Sequence, residues 1–185
     1  SRIMHSAYDL DSLIMQHAED LELSMNGIVN DGIIATKLGL QGISDISEKI
    51  IIDRDLSLLE EYNCRYHISQ VSTKKSINSI KQKKNDVDFT TGVSINNLTL
   101  NENDIGEFKT FLKLSPPLRT EEDRISLIDA INKNLIDVIV SDHKPEDEES
   151  KRLTFSQAAT GASGIETLLS LSLELFHNGS IKLNQ

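Results

Sequence analysis

The chain has 185 residues, of which 26% are charged and 38% hydrophobic, with a formal net charge of −10. That charge argues against nucleic acid, whose phosphates would be repelled, and leaves a small anionic substrate open. No run approaches the roughly 20 apolar residues of a membrane span, so the expectation is a soluble, cytoplasmic protein with no membrane association.

Four apolar runs, each followed by a polar loop and a helix-like segment, give the alternation of parallel α/β architecture. The first is 13–17 (LIMQH) with Ala18, Glu19 and Asp20 behind it. Between it and the second run, Ile52, Leu56 and Leu59 fall at i, i+4 and i+7, which predicts a helix over about 45–62 with one apolar face. Cys64 cannot form an internal disulfide as the single cysteine and reads as a small buried residue. The second run is 66–71 (YHISQV), ending in Ser72 and Thr73. A basic, weakly apolar helix over 76–84 is expected on the surface. The third run, 89–95 (FTTGVSI), is broken by Gly92.

Pro116 and Pro117 mark a rigid loop before Arg119. Thr120 with Asp123 three residues on reads as a capping-box-like start for a helix that carries Ile125, Ile128 and Ile131 inward. The fourth run, 136–142, alternates Ile136, Val138 and Val140 with Asp137, Ile139 and Ser141, and is expected to be a largely buried strand ending at Asp142 and His143. After Ser163 and Gly164, an apolar helix places Leu168, Leu171 and Leu175 on one face, with Leu169 and Leu173 beside them, and ends at Asn178-Gly179. Four such units make about half of a closed eight-unit barrel, which typically needs roughly 250 residues. The predicted fold class is therefore α/β: a partial (β/α)8 TIM-type barrel with a parallel sheet.

Adjacent parallel strands bring their C-terminal ends to one face. That gathers His17, His67 or Gln70, Asn96 and Asn97, and Asp142 with His143. Imidazoles and carboxylates of this kind hold zinc, with an Asp free to shuttle a proton. The plainer alternative is a set of satisfied core histidines and an Asp142 that caps a turn.

The segments HAED at 17–20, YHISQVST at 66–73, KLSPPLRTEEDR at 113–124 and VSDHKPEDEESKRLTF, followed by GASGIETLL, resemble the C-terminal half of the dihydroorotases, in the same order along nearly the whole chain. The resemblance implies an amidohydrolase barrel with one or two zinc ions that interconverts N-carbamoyl-L-aspartate and dihydroorotate in pyrimidine synthesis. It implies that His17 is a metal ligand, that Asp142 is both metal ligand and catalytic base, and that Gly161 contacts substrate through its backbone. Ser115 stands at a substrate-binding position where the family has Asn. Gln70 stands where the family has a metal-binding His, Glu146 replaces a substrate-binding His, and Thr160 replaces a Phe.

The family's first-strand His-x-His pair and its mid-barrel Lys or Asp have no counterpart here. The chain, 1–185, is accordingly expected to be a fragment that is inactive by itself and self-associates through open sheet edges. Two functions compete: a dihydroorotase, and a catalytically silent homologue that partners aspartate transcarbamoylase. A third is an amidohydrolase acting on another cyclic amide. His67, three residues from Gln70, is expected to point to the opposite side of its strand.

Overall fold

The computed structural model describes residues 2–182. In chain order it contains α1 (Arg2–Asp9), β1 (Ile14–Gln16), β2 (Val29–Asn30), α2 (Ile33–Leu38), β3 (Gly42–Ile43), α3 (Asp45–Tyr62), β4 (Tyr66–Ile68), α4 (Lys74–Lys83), β5 (Thr90–Ser94), α5 (Ile95–Thr99), α6 (Glu121–Asn132), β6 (Val138–Val140), α7 (Glu148–Lys151) and α8 (Leu168–His177). Two short 3-10 turns, Glu102–Ile105 and Thr110–Leu112, lie between α5 and α6.

All four apolar runs become strands of one parallel sheet in the order β1-β4-β5-β6. Ile14 pairs with Tyr66, His67 with Thr90, and Gly92 with Val138. Every crossover runs through helices, as parallel pairing requires. A second, two-stranded parallel sheet of β2 and β3 has no counterpart among the expected strands.

The helix over 45–62 forms as expected. Ser44 caps it by accepting a hydrogen bond from the Ile46 N–H, and Asn63 ends it at φ 44°. Ile52, Leu56 and Leu59 are all buried. Thr120 and Asp123 make the reciprocal capping box that opens α6. The expected inward face of α6 holds for Ile131, which is buried, and for Ile128, which packs on the core, but not for Ile125, which is 56% exposed; Leu127 and Ala130 complete the buried apolar face. Steps of three residues fall about 60° short of a full turn each, so Ile125 lies about 120° around the helix from Ile131.

Two further expectations are corrected. The basic helix α4 is not a surface helix only: Ile77 and Ile80 are buried and it packs against both α3 and α6, leaving the lysines outside. The strand β6 is only partly buried, with Val138 44% exposed, because it is an edge strand of the sheet. In α8 the expected face of Leu168, Leu171 and Leu175 meets the core, and Leu169 and Leu173 beside it are exposed. Cys64 is buried, as expected.

The main core lies between the sheet and α3, α4, α5 and α6, around Ile52, Leu56, Ile68, Val93 and Leu127. A smaller cluster of Val29, Ala35, Ile105, Leu114, Leu118 and Phe155 lies under β2 and β3.

One buried polar contact ties the sheet to α3: the Tyr66 hydroxyl donates to Asp55 Oδ2 at 2.6 Å. Burial, reinforced by that carboxylate, pushes the phenol well above its ordinary range. A tyrosine in the unfolded chain ionises near about pH 10, so this contribution is complete below that pH and is lost as pH rises above it. Tyr66→Phe is expected to cost about 1.5–3 kcal/mol at pH 7. The gap should narrow above about pH 10, and urea unfolding at both pH values checks it.

Candidate functional site

The C-terminal ends of the strands carry the polar residues. His17 follows β1 directly, Gln70 lies two residues beyond β4, and Asp142 lies two residues beyond β6. Asp142 sits at φ 48°, a left-handed conformation that Asp tolerates better than most residues. There its carboxylate Oδ1 accepts a hydrogen bond from Gln70 Nε2 at 2.6 Å. The carbonyl end of the same amide, Oε1, lies 3.3 Å from His17 Nδ1. His17 Nε2 is 3.4 Å from Ser115 Oγ and 3.5 Å from Glu19 Oε2. Residues 17, 70, 115 and 142 therefore form one hydrogen-bonded group.

The electrostatics follow from these contacts. Each His17 ring nitrogen faces an acceptor, which favours the doubly protonated ring. The Glu19 carboxylate raises the His17 pKa against the opposing effect of burial, and His17 in turn holds Glu19 below the usual carboxylate range. Burial raises the Asp142 pKa, opposed by the Gln70 hydrogen bond and by the charges of His17 and Lys144.

These residues do not by themselves fit a zinc ion. Among the described residues, no group of three or more His, Cys, Asp or Glu side chains gathers to hold a metal. His17 has both nitrogens directed at acceptors, Asp142 is bridged by an amide, and an amide is a poor zinc donor beside imidazole. This chain offers two candidate ligands, His17 and Asp142, with Gln70 between them.

The other strand-end residues lie outside this group. His67 is engaged with the neighbouring strand, its Nδ1 2.7 Å from Thr90 Oγ1. His143 Nδ1 accepts the Gly164 and Ile165 N–H groups, both at 3.2 Å, and so anchors the loop that follows. Asn97 donates to the Pro117 carbonyl at 3.0 Å and fixes the Pro-Pro loop that presents Ser115. Glu146 lies 3.7 Å from the Lys144 ammonium.

Gly161 is held at φ 135°, and a Cβ there would meet the Lys144 carbonyl oxygen at 2.5 Å, so the position requires glycine. Its N–H is already bonded to the Lys113 carbonyl at 2.9 Å. That leaves its own carbonyl as the group to offer a ligand. Sequence reasoning assigned no role to Glu19, to the Glu48–Arg119 pair described below, or to Lys113 and Lys151.

Known proteins resemble this chain along most of its length. A family model described as dihydro-orotase-like matches residues 1–76. A protein named dihydroorotase from Ehrlichia canis (strain Jake) is 47% identical over 176 residues, which is 94% of this chain and 39% of that protein. One from Syntrophus aciditrophicus is 38% identical over 185 residues, covering 100% of this chain and 43% of the relative. The chain thus spans well under half the length of these relatives.

Among solved structures, L-hydantoinase (dihydropyrimidinase) from Arthrobacter aurescens superposes with a TM-score of 0.82 at 25% identity, over 98% of this chain and 42% of its own. Dihydroorotase from Campylobacter jejuni does so with a TM-score of 0.71 at 17% identity, over 98% and 46%. The four parallel strands and their helices are the corresponding part of an amidohydrolase barrel. The matches lend no support to a catalytically silent homologue. No helix among the described residues is long and apolar enough to cross a membrane. Sequence identity carried along nearly its whole length, on a barrel segment that brings His17 and Asp142 to one edge, places the chain in the dihydroorotase-like family.

Proposed function

We propose that this chain forms part of the active site of a cyclic amidohydrolase of the dihydroorotase type, one that interconverts N-carbamoyl-L-aspartate and dihydroorotate. The observation that carries the reading is the convergence of His17, Gln70, Ser115 and Asp142 in one hydrogen-bonded group at the C-terminal edge of the sheet. Active sites of barrel enzymes are built at that edge.

The roles follow from the contacts. Asp142 is an acid–base group whose carboxylate is aimed by Gln70 and whose burial favours taking up a proton. Gln70, uncharged and bonded at both ends, fixes the spacing of Asp142 and His17. The Ser115 hydroxyl, beside His17, and the Gly161 backbone would meet the polar edge of a cyclic amide. The remainder of the site is contributed from outside these residues.

The test uses the intact protein that contains this chain, assayed with L-dihydroorotate, dihydrouracil and hydantoin as separate substrates. Ring opening of dihydroorotate is expected with kcat/KM at least about tenfold above the other two, a margin of roughly 1.4 kcal/mol in transition-state binding. Turnover of hydantoin or dihydrouracil without dihydroorotate would move the assignment to another cyclic amide, and no turnover of any of the three would overturn it.

A further inference from the structure

Lys113 and Lys151 are 6% and 4% exposed, and among the described residues neither ammonium is bonded to a carboxylate. Instead they donate to main-chain carbonyls of one short loop and its neighbour. Lys113 Nζ reaches Ser156 O at 2.9 Å and Ala158 O at 2.7 Å. Lys151 Nζ reaches Ala159 O at 2.8 Å and Thr110 O at 3.0 Å.

Burying an ammonium without a carboxylate is costly. Burial lowers the pKa of both, and for Lys151 the Lys113 charge adds to that while Glu146 opposes it. The arrangement has a clear structural use, because the carbonyls of residues 156, 158 and 159 turn inward from a loop with no helix or strand of its own to satisfy them. Lysine, with three donors on a long stem, can satisfy two such carbonyls at once.

That loop is stitched to the candidate site on both sides. The Gly161 N–H donates to the Lys113 carbonyl, two residues before Ser115, and Gly161 packs directly on Lys144, two residues after Asp142. Ala162 forms a bridge with His143, and its carbonyl accepts the Lys144 N–H at 2.9 Å. The loop is therefore in contact with both neighbours.

We propose that Lys113 and Lys151 are positioning residues, their ammonium groups clamping loop 156–161 between the segment that carries Ser115 and the strand end that carries Asp142, and so setting where Gly161 meets the substrate. The clamp stands on geometry alone, whereas its effect on substrate rests on the dihydroorotase-type reading.

The test compares the intact protein with Lys113→Met and Lys151→Met, which keep an apolar stem and remove the ammonium. Lys113→Arg serves as the conservative rescue and the exposed Lys133→Met as a control. Amide hydrogen exchange is followed on peptides covering 154–163 and on α3. The Met variants are expected to speed exchange in the loop by about tenfold or more while α3 is unchanged, with Lys113→Arg restoring much of the protection and Lys133→Met having no effect. KM for dihydroorotate should rise about tenfold with kcat held within about threefold, since the loop affects binding rather than the proton transfer.

Unchanged loop exchange, or equal acceleration in the loop and in α3, would overturn the clamp. A loosened loop with unchanged KM leaves the clamp standing and overturns the substrate role of Gly161. Where Lys113→Met fails to fold, Lys151→Met alone is judged by the same criteria.

Discussion

Replacing Arg119 by methionine is expected to lower the stability of the fold by about 3–5 kcal/mol, the range for leaving one member of a buried charge pair alone. The Arg119 guanidinium is buried and donates to Ser72 Oγ at 3.1 Å, Asn30 Oδ1 at 3.0 Å and the Ile43 carbonyl at 2.7 Å. One side chain thereby joins β2, β3 and the segment after β4.

Across Ser72 stands the buried Glu48, whose oxygens accept the N–H groups of Ser72 and Thr73 and both of their hydroxyls. Asn30 passes the network on to Glu102 Oε2 at 2.7 Å. Burial pulls the Arg119 pKa down, and the Glu48 charge acts against this, so the two ions depend on each other. Without the guanidinium, Glu48 is a buried carboxylate with no cation bonded into its network, and Asn30 and the Ile43 carbonyl lose a donor. Methionine fills much of the volume, so the loss is electrostatic rather than a cavity.

A fall in melting temperature of roughly 10 °C follows for a chain of this size. The double variant Arg119→Met, Glu48→Gln should lose less than the sum of the singles, because removing both charges removes their interdependence. A single-variant cost below about 1 kcal/mol would show that the seam contributes no more than a typical hydrogen bond.

The sheet was legible in the sequence because its strands are β-branched runs set between helical segments, and their shared direction follows from that alternation. The strand-end positions of His17 and Asp142 followed at once. The pair β2 and β3 was not legible: each strand has two residues, too few for a period, and Gly42 contributes no side chain to a pattern. On α6 only Ile125 was misread, because isoleucines at steps of three drift around the helix, while the buried Ala130 carries little hydrophobic signal.

The polar residues were the least legible part. Gln70 read as a missing imidazole, whereas its amide bridges Asp142 and His17 by offering a donor to one and an acceptor to the other. A lysine or arginine in sequence reads as surface. Lys113 and Lys151 are buried where main-chain carbonyls converge on them, and Arg119 where one carbonyl and two side-chain oxygens do, and no local pattern records that convergence.

Asp142→Asn is expected to reduce kcat for dihydroorotate by about 10²–10⁴-fold, the range typical of losing a general acid–base group. Asparagine is the informative substitution here. It matches the carboxylate in shape and tolerates the left-handed backbone at φ 48°, where alanine would add strain. It also keeps an oxygen for the Gln70 amide, so the fold and the hydrogen-bonded group survive while the ability to take a proton is lost.

A variant that leaves the carboxylate but removes its support gives the contrast. Gln70→Leu deletes the 2.6 Å bond to Asp142 and the contact to His17. It should cost only about tenfold in kcat, because Asp142 keeps its basicity and loses its aim. Steady-state rates in both directions, with thermal melting to confirm folding, check the pair. If Asp142→Asn retains activity within about threefold of the parent, Asp142 is not the acid–base group. If Gln70→Leu falls as far as Asp142→Asn, the amide is part of the reacting machinery rather than its support.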